Sequence, residues 1–586
     1  MGRVGRSLAV AVLVTAGICA PLAATAEPES TPPQNITTLV RGMTLEEKVG
    51  QLFVTYLHGQ SPDEVNPVNR TDFGVDTPAQ VVEKFHPGGV IYFNNSSSDN
   101  IDTPQQIATL SNGLQRAAMG SGSRIPLAIS TDQEMGIVTR IGAPATQFPG
   151  NMALGAGRSP ADAETAATIT ANELRAMGVN QDFAPDADVN SNPANPVIGV
   201  RSYSSDPSLA ADLTAAQVRG YQQHFLARGA VSATAKHFPG HGDTAEDSHT
   251  SLPVVDRTVE QWRQVDAPPF RAAIAAGIDS IMTAHIQTPR IDPSGEPATL
   301  SKPVVTGLLR DELHYDGVII TDSLAMAGVR QLHSDAEIPV LALKAGVDQL
   351  LMPVNLELAI TSVVQAVRGG EISERRIDQS VLRVLRMKFL RGMLTSPFVD
   401  VDAVPSTVGS PANLDAAQRI TDHTTTVIRN DAGVLPLRTK PASALVTGWG
   451  DATVRTLADR LAARGTATTP LTTGSAPTEA QIAEAEQAAA QAEVVVLITN
   501  SLSRQPAQQA LLARLRATGK PVVAVAVQNP YDVGYDAPTW LATYSSGAVS
   551  MESLARVLYG EASPNGKLPV EVPGPTRYPL GHGVTW

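Results

Sequence analysis

The chain has 586 residues, too many for one ordinary core, and that length suits about two to four domains. It holds 44 Lys and Arg against 57 Asp and Glu, a net charge of −13, and no basic block, which argues against a nucleic-acid partner. The one cysteine, Cys19, lies in the N-terminal segment, so a mature chain lacking that segment has no disulfide and no cysteine metal site.

The N-terminus reads as an export signal over residues 1–26. Arg3 and Arg6 form a basic start, 8–22 is mostly apolar, and Ala24-Thr25-Ala26 is a small-x-small cleavage pattern, which predicts a mature start near Glu27 and secretion or cell-wall association. The apolar run is too short for a durable membrane span, and no later segment is long enough. A lipid anchor on Cys19 is disfavoured, because Ile18 is larger than the residue that normally precedes such a cysteine.

Residues 27–36, rich in Pro, Ser, Thr and Glu, read as a flexible leader. From 37 to 395 short β-branched runs alternate with amphipathic stretches such as 160–177 and 209–228. Strands are expected at 52–55, 89–93, 127–130, 180–183, 230–235, 280–283, 317–320 and 349–352, which predicts a (β/α)₈ TIM-like barrel. Polar residues follow most of these runs: Asn94-Asn95, Asp132-Gln133-Glu134, Asp186 and Asp188, Lys236-His237, His285 and Asp322. A parallel barrel brings all such ends to one rim, where its chemistry is done.

Residues 396–420 read as a linker, and 421–586 as an open three-layer α/β sandwich with strands at 444–447, 494–499, 522–527 and 540–544. Helices are expected at 452–464, 479–492 and 508–518. Gly448-Trp449-Gly450 has Thr453 where a dinucleotide loop has its third glycine, and Asp451 would repel a pyrophosphate. The loop is therefore read as a tight turn in which Asp451 caps the next helix.

The densest chemistry lies between Lys236 and His249, which holds one lysine, three histidines and three acids. In Asp247-Ser248-His249 the outer two side chains of an extended segment share a side, so the carboxylate can orient and charge-stabilise the imidazole. Asp322, at the end of the seventh run, can be a nucleophile, a metal ligand or a helix cap. Metal binding by His237 and His241 is disfavoured by Pro239-Gly240 between them. A carboxylate opposite a tuned histidine is equipment for a two-step displacement through a covalent intermediate, with histidine standing where most glycosidases use a second carboxylic acid.

Lys236 to Gly242, Asp247-x-His249 and Thr321-Asp322-Ser323-Leu324-x-Met326 resemble the signatures of glycoside hydrolase family 3, and within it those of bacterial exo-β-N-acetylglucosaminidases. Asp132-Gln133-Glu134, Asn190 to Pro193, Asn195 to Ser202 and Met282 to His285 match as well, and the tail from Arg556 to Pro569 resembles the end of the family's second domain. The resemblance implies a carbohydrate substrate and no cofactor or metal. It makes Asp322 the nucleophile, His249 the acid/base and Asp247 its orienting partner. It also makes Asp132, Arg201, Lys236 and His237 sugar-binding, with His285 either in that pocket or structural. Met135-Gly136 replaces a glycine pair common in the family and would narrow the pocket near Asp132. Glu552, Glu561 and Glu571 are read as structural, and the segment between Lys236-His237 and Asp247-His249 as a hinge that swings His249 over Asp322. A β-glucosidase, a phosphorylase and a non-catalytic wall-binding protein are the alternatives, and the oligomeric state is left open.

Overall fold

The computed structural model describes Gly2 and residues 34–95, 98–223 and 230–586. The expected export signal lies outside these residues, apart from Gly2. Helix Gln34–Gly42 starts inside the expected leader, because Ile36 and Val40, one turn apart, bury a face against the barrel.

Eight parallel strands form the first domain: β1 (Phe53–Thr55), β2 (Gly89–Ile91), β3 (Ala128–Thr131), β4 (Gln181–Asp182), β5 (Ser232–Phe238), β6 (Ser280–Thr283), β7 (Val318–Thr321) and β8 (Leu350–Leu351). β1 to β7 are neighbours in chain order, and β8 pairs with β1. The ring is completed by a bridge between Ile320 and Gln349 and by Leu351 N–H donating to Thr321 Oγ1 at 3.0 Å. Val54, Ile91, Phe183, Met282, Ile320 and Leu351 fill the interior, so the barrel is a packed core and not a pore. Several of the helices bear Pro at their first turn and a capping side chain before it, as in Pro160–Ala176 behind Ser159 and Pro207–Gln222 behind Asp206.

The second domain has a six-stranded sheet of β9 (Thr426–Asn430), β10 (Ser443–Gly448), β11 (Ala467–Thr472), β12 (Val494–Thr499), β13 (Val522–Ala526) and β14 (Thr539–Ala542), in the order β9-β14-β13-β12-β10-β11. Its alternation explains the three layers. Leu445, Val495 and Leu497 pack on the helices Glu479–Gln491 and Pro506–Ala517, while Val446, Val496 and Ile498 pack on Asp451–Ala463 and Ala548–Leu558. Two strands were illegible. β11 is a threonine-rich edge strand holding Pro470, which an edge tolerates, and β9 is antiparallel and breaks the strand–helix alternation.

Two further expectations are corrected. The stretch expected as linker contains the start of helix Pro411–Asp422, capped by Ser410, which buries Ala416, Ala417 and Ile420 against the barrel helices. Asp451 does not cap. Gly450, at φ +84°, occupies the cap position, and Asp451 is the first helical residue, bonded to Arg455 and Thr472.

Candidate active site

A cavity of about 260 Å³ opens at the C-terminal rim of the barrel, lined by Asp132, Glu134, Arg201, Lys236, His237, His249 and Asp322 among others. Six of the residues singled out from sequence therefore meet in one place. Asp247 stands behind His249, and His285 does not line the cavity.

Strand β5 delivers two of them. Its register against β6 shifts between the pairs Ile281–Ala235 and Thr283–Phe238, so β5 carries one extra residue there. Such an irregularity re-aims side chains, and Lys236 and His237 both reach the cavity wall. Asp322 follows β7, held by its own N–H to Thr283 O at 3.1 Å. The carboxylate accepts the Ser323 N–H at 2.7 Å and lies 4.0 Å from His237 Nε2. The next helix, Ala327–Arg330, starts after Met326, so Asp322 is not its cap.

His285 is a structural residue. It is fully buried, with Nδ1 on Thr299 Oγ1 at 2.8 Å and Nε2 donating to Ser323 O at 2.9 Å, which fixes the turn that carries Asp322. Met135 does not narrow the pocket either. It takes a left-handed backbone (φ +70°), at a cost of about 1–2 kcal/mol for a non-glycine, and packs away from the cavity with Phe148 and Leu154.

The floor is a charge network that sequence reading only partly saw. Arg201 grips Glu134 with two N–H donors at 2.8 Å each, and Lys236 Nζ lies 2.6 Å from Glu134 and 2.9 Å from Asp132. Glu134, 3% exposed, is the common anion. Burial pushes its carboxyl up, but Arg201 and Lys236 outweigh that and hold it well below the usual range. Its role was hidden because it reads as part of a strand-end motif; its i+2 spacing from Asp132 was the available signal. Asp188 accepts from His237 Nδ1 at 2.7 Å and from His241 N–H at 2.6 Å. Burial drives the neighbouring Asp186 up, aided by the Asp188 charge. Asp182, fully buried below the rim, is pushed up to about 8 by burial. Among the described residues, Asp186, Asp188 and His237 form the group whose ligand atoms lie close enough to hold a metal. There His237 already bonds Asp188, and Arg201 Nε lies 3.6 Å from Asp186, so both carboxylates already have partners within the protein.

Removing Glu134 takes from Arg201 its two-pronged partner and from Lys236 one of its two carboxylates. Breaking such a network costs about 3–5 kcal/mol. Glu134→Ala is expected to lower the denaturant midpoint by a corresponding amount, and Glu134→Gln, which keeps the hydrogen-bonding shape, by less.

The Asp247–His249 pair sits higher. His249 Nδ1 donates to Asp247 Oδ1 at 2.7 Å, and the His249 N–H reaches the same oxygen at 2.9 Å. Nε2 is thereby left as the working nitrogen. His249 is 58% exposed by side chain. Burial acts to raise the Asp247 carboxyl, but the His249 backbone and ring bonds hold it below its ordinary value. The loop below it is tied down: His241 bonds Ser248 at 2.9 Å and Thr244 at 3.0 Å, and Arg257 pairs with Asp243 at 3.0 Å. Burial drives His241 down to about 4, so it serves as a neutral staple. Gly242 is required there, since a Cβ would come within 1.9 Å of Val189 O. The expected hinge is thus a bonded loop in this structure, with His249 already on the cavity wall.

In the second domain, Glu552 and Glu561 both pair with Arg464, and Glu571 lines a separate surface cleft.

A closed parallel barrel with a rim carboxylate, a sugar-sized polar cavity and a sandwich behind it is the frame of a two-domain glycoside hydrolase. Residues 44–387 match the glycosyl hydrolase family 3 N terminal domain and residues 425–584 the glycosyl hydrolase family 3 C-terminal domain, so the chain belongs to that family. It is 38% identical over 385 residues to beta-hexosaminidase A of Pseudoalteromonas piscicida, a match covering 61% of this chain and 62% of that relative's length. It is 27% identical over 569 residues to a beta-N-acetylglucosaminidase/beta-glucosidase of Cellulomonas fimi, covering 92% of this chain and 95% of that one. Among solved structures, a glycoside hydrolase family 3 beta-N-acetylglucosaminidase from Paenibacillus sp. str. FPU-7 superposes with a TM-score of 0.80 at 35% identity, covering 92% of this chain and 100% of that one.

Proposed function

We propose that this glycoside hydrolase is a retaining, exo-acting β-N-acetylglucosaminidase that releases terminal GlcNAc from peptidoglycan fragments or chito-oligosaccharides. The observation that carries the reading is a single cavity holding both Asp322 and an Asp-tethered histidine. In the first step Asp322 attacks the anomeric carbon while His249 Nε2–H protonates the departing glycosidic oxygen, giving a glycosyl-aspartate. In the second, His249 Nε2 takes a proton from water, the hydroxide oxygen bonds to the anomeric carbon, and the Asp322 carboxylate leaves. Two inversions retain the β configuration. Asp247 stabilises the imidazolium that stands before the first proton transfer and is restored by the second; in the glycosyl-enzyme between them the histidine is neutral and can act as the base. Asp132, Lys236, Arg201 and His237 hold the sugar hydroxyls through charge-assisted bonds. The relatives named for β-N-acetylglucosaminides and hexosaminides support the choice of sugar, and the signal-like N-terminus supports secretion or a cell-wall location.

The test compares nitrophenyl β-GlcNAc with nitrophenyl β-glucoside. The expected result is a kcat/KM preference for GlcNAc of more than about tenfold, with free GlcNAc as product in phosphate buffer. Preference for the glucoside would make this a β-glucosidase. A sugar phosphate in place of free GlcNAc would make it a phosphorylase, whose incoming dianion a histidine acid/base does not repel.

A further inference from the structure

We infer that a second cavity on the seam between the domains holds the leaving-group sugar, and that Arg504 there selects a leaving sugar that carries a carboxylate; this rests on the proposed glycosidase reading. The cavity, about 150 Å³, shares Ile137, Pro196, Val197 and Ile198 with the active-site cavity, so it adjoins the place where the scissile bond must lie. Its opposite wall comes from the second domain and includes Arg504, Gln528 and Asn529.

That wall is seated firmly. A Cβ on Gly199 would come within 2.7 Å of the Asn529 amide, so the second domain rests directly on the Gly199–Arg201 turn that places Arg201 in the site. Tyr531 Oη accepts from Asn190 Nδ2 at 2.8 Å across the same seam. A subsite built from both domains can therefore stay in register with the catalytic groups.

The charge balance points to an anion. Along this crevice the other cations are matched: Arg201 by Glu134, Lys236 by Asp132 and Glu134, and Arg140 by Asp132 at 3.6 Å. Arg504 has no carboxylate partner among the described residues. One of its terminal nitrogens donates to Ala194 O at 2.8 Å, which holds the guanidinium across the seam and leaves its other donors open. The carboxylate that also lines this cavity, Asp532, is buried and turned to the Leu502 N–H at 2.7 Å. A fixed guanidinium with free donors is the group suited to two-pronged carboxylate recognition.

The test measures kcat/KM for two disaccharides with terminal β-GlcNAc. One carries N-acetylmuramic acid as the leaving sugar and the other is neutral chitobiose. Arg504→Ala is expected to lower the acidic-to-neutral ratio by about tenfold, chiefly through KM, and Arg504→Lys to restore part of it. The methyl ester of the acidic disaccharide should behave like chitobiose. Binding of the same sugars to Asp322→Asn protein, with and without Arg504→Ala, reads the subsite without turnover, so failure of the glycosidase reading and failure of this inference are separable. An acidic-to-neutral ratio and a binding preference that Arg504→Ala leaves within about twofold of the parent would overturn the inference.

Discussion

Asp322→Asn is expected to leave the fold intact and to lower turnover of nitrophenyl β-GlcNAc by about 10⁴-fold or more, the scale on which loss of a catalytic nucleophile acts. The fold survives because the asparagine oxygen still accepts the Ser323 N–H that Asp322 accepts at 2.7 Å. Turnover fails because a neutral amide cannot form the ester intermediate. Burial alone would raise the Asp322 carboxyl, but its neighbours, His237 foremost, with His285, the Ser323 N–H and Lys236, hold it below its ordinary value, which suits the proposed nucleophile. Asp322→Gly supplies a complementary readout. Azide can enter the vacated space and attack the anomeric carbon opposite the leaving group, giving the α-glycosyl azide from a β-glycoside. Measuring rate and product anomer checks both variants.

His249→Ala is expected to cost about 10²–10⁴-fold in turnover of a natural-type disaccharide, the usual worth of a positioned acid or base. The loss should shrink in the first step for a nitrophenyl leaving group, which departs with little protonation. It should persist in the second step, where water still needs a base. Asp247→Ala keeps the imidazole and removes its partner, so a smaller loss is expected, with an altered pH–rate profile. Single-turnover kinetics on the two substrate classes separate these steps. Equal losses in the first step for good and poor leaving groups would count against His249 as the proton donor.

The barrel was legible because most of its strands, buried on both faces, read as short apolar or β-branched runs, and because polar residues recur at their ends. Asp322, Lys236 and His237 could be named from that pattern and from the family motifs. His285 stands at an equivalent strand end, yet it faces the Thr299 hydroxyl and the Ser323 carbonyl and not the cavity. A linear pattern locates the rim but not which way a side chain turns there. Glu134 escaped for a related reason: its importance arises from Arg201 and Lys236, which converge on it from distant positions in the chain. In the second domain the central strands were readable, whereas β11 is exposed and polar, and its assignment depends on the neighbour that pairs with it. Arg504 was equally invisible, since its significance lies in the seam between two domains.

In the proposed mechanism the sugar becomes bonded to Asp322. The direct measurement is peptide mapping by mass spectrometry after trapping with a fluorinated GlcNAc glycosyl fluoride, which forms the intermediate faster than it is released. One sugar adduct is expected, on the Asp322 carboxylate, absent from Asp322→Asn protein. An adduct on another residue, or inactivation-free turnover with no adduct at any stage, would contradict it.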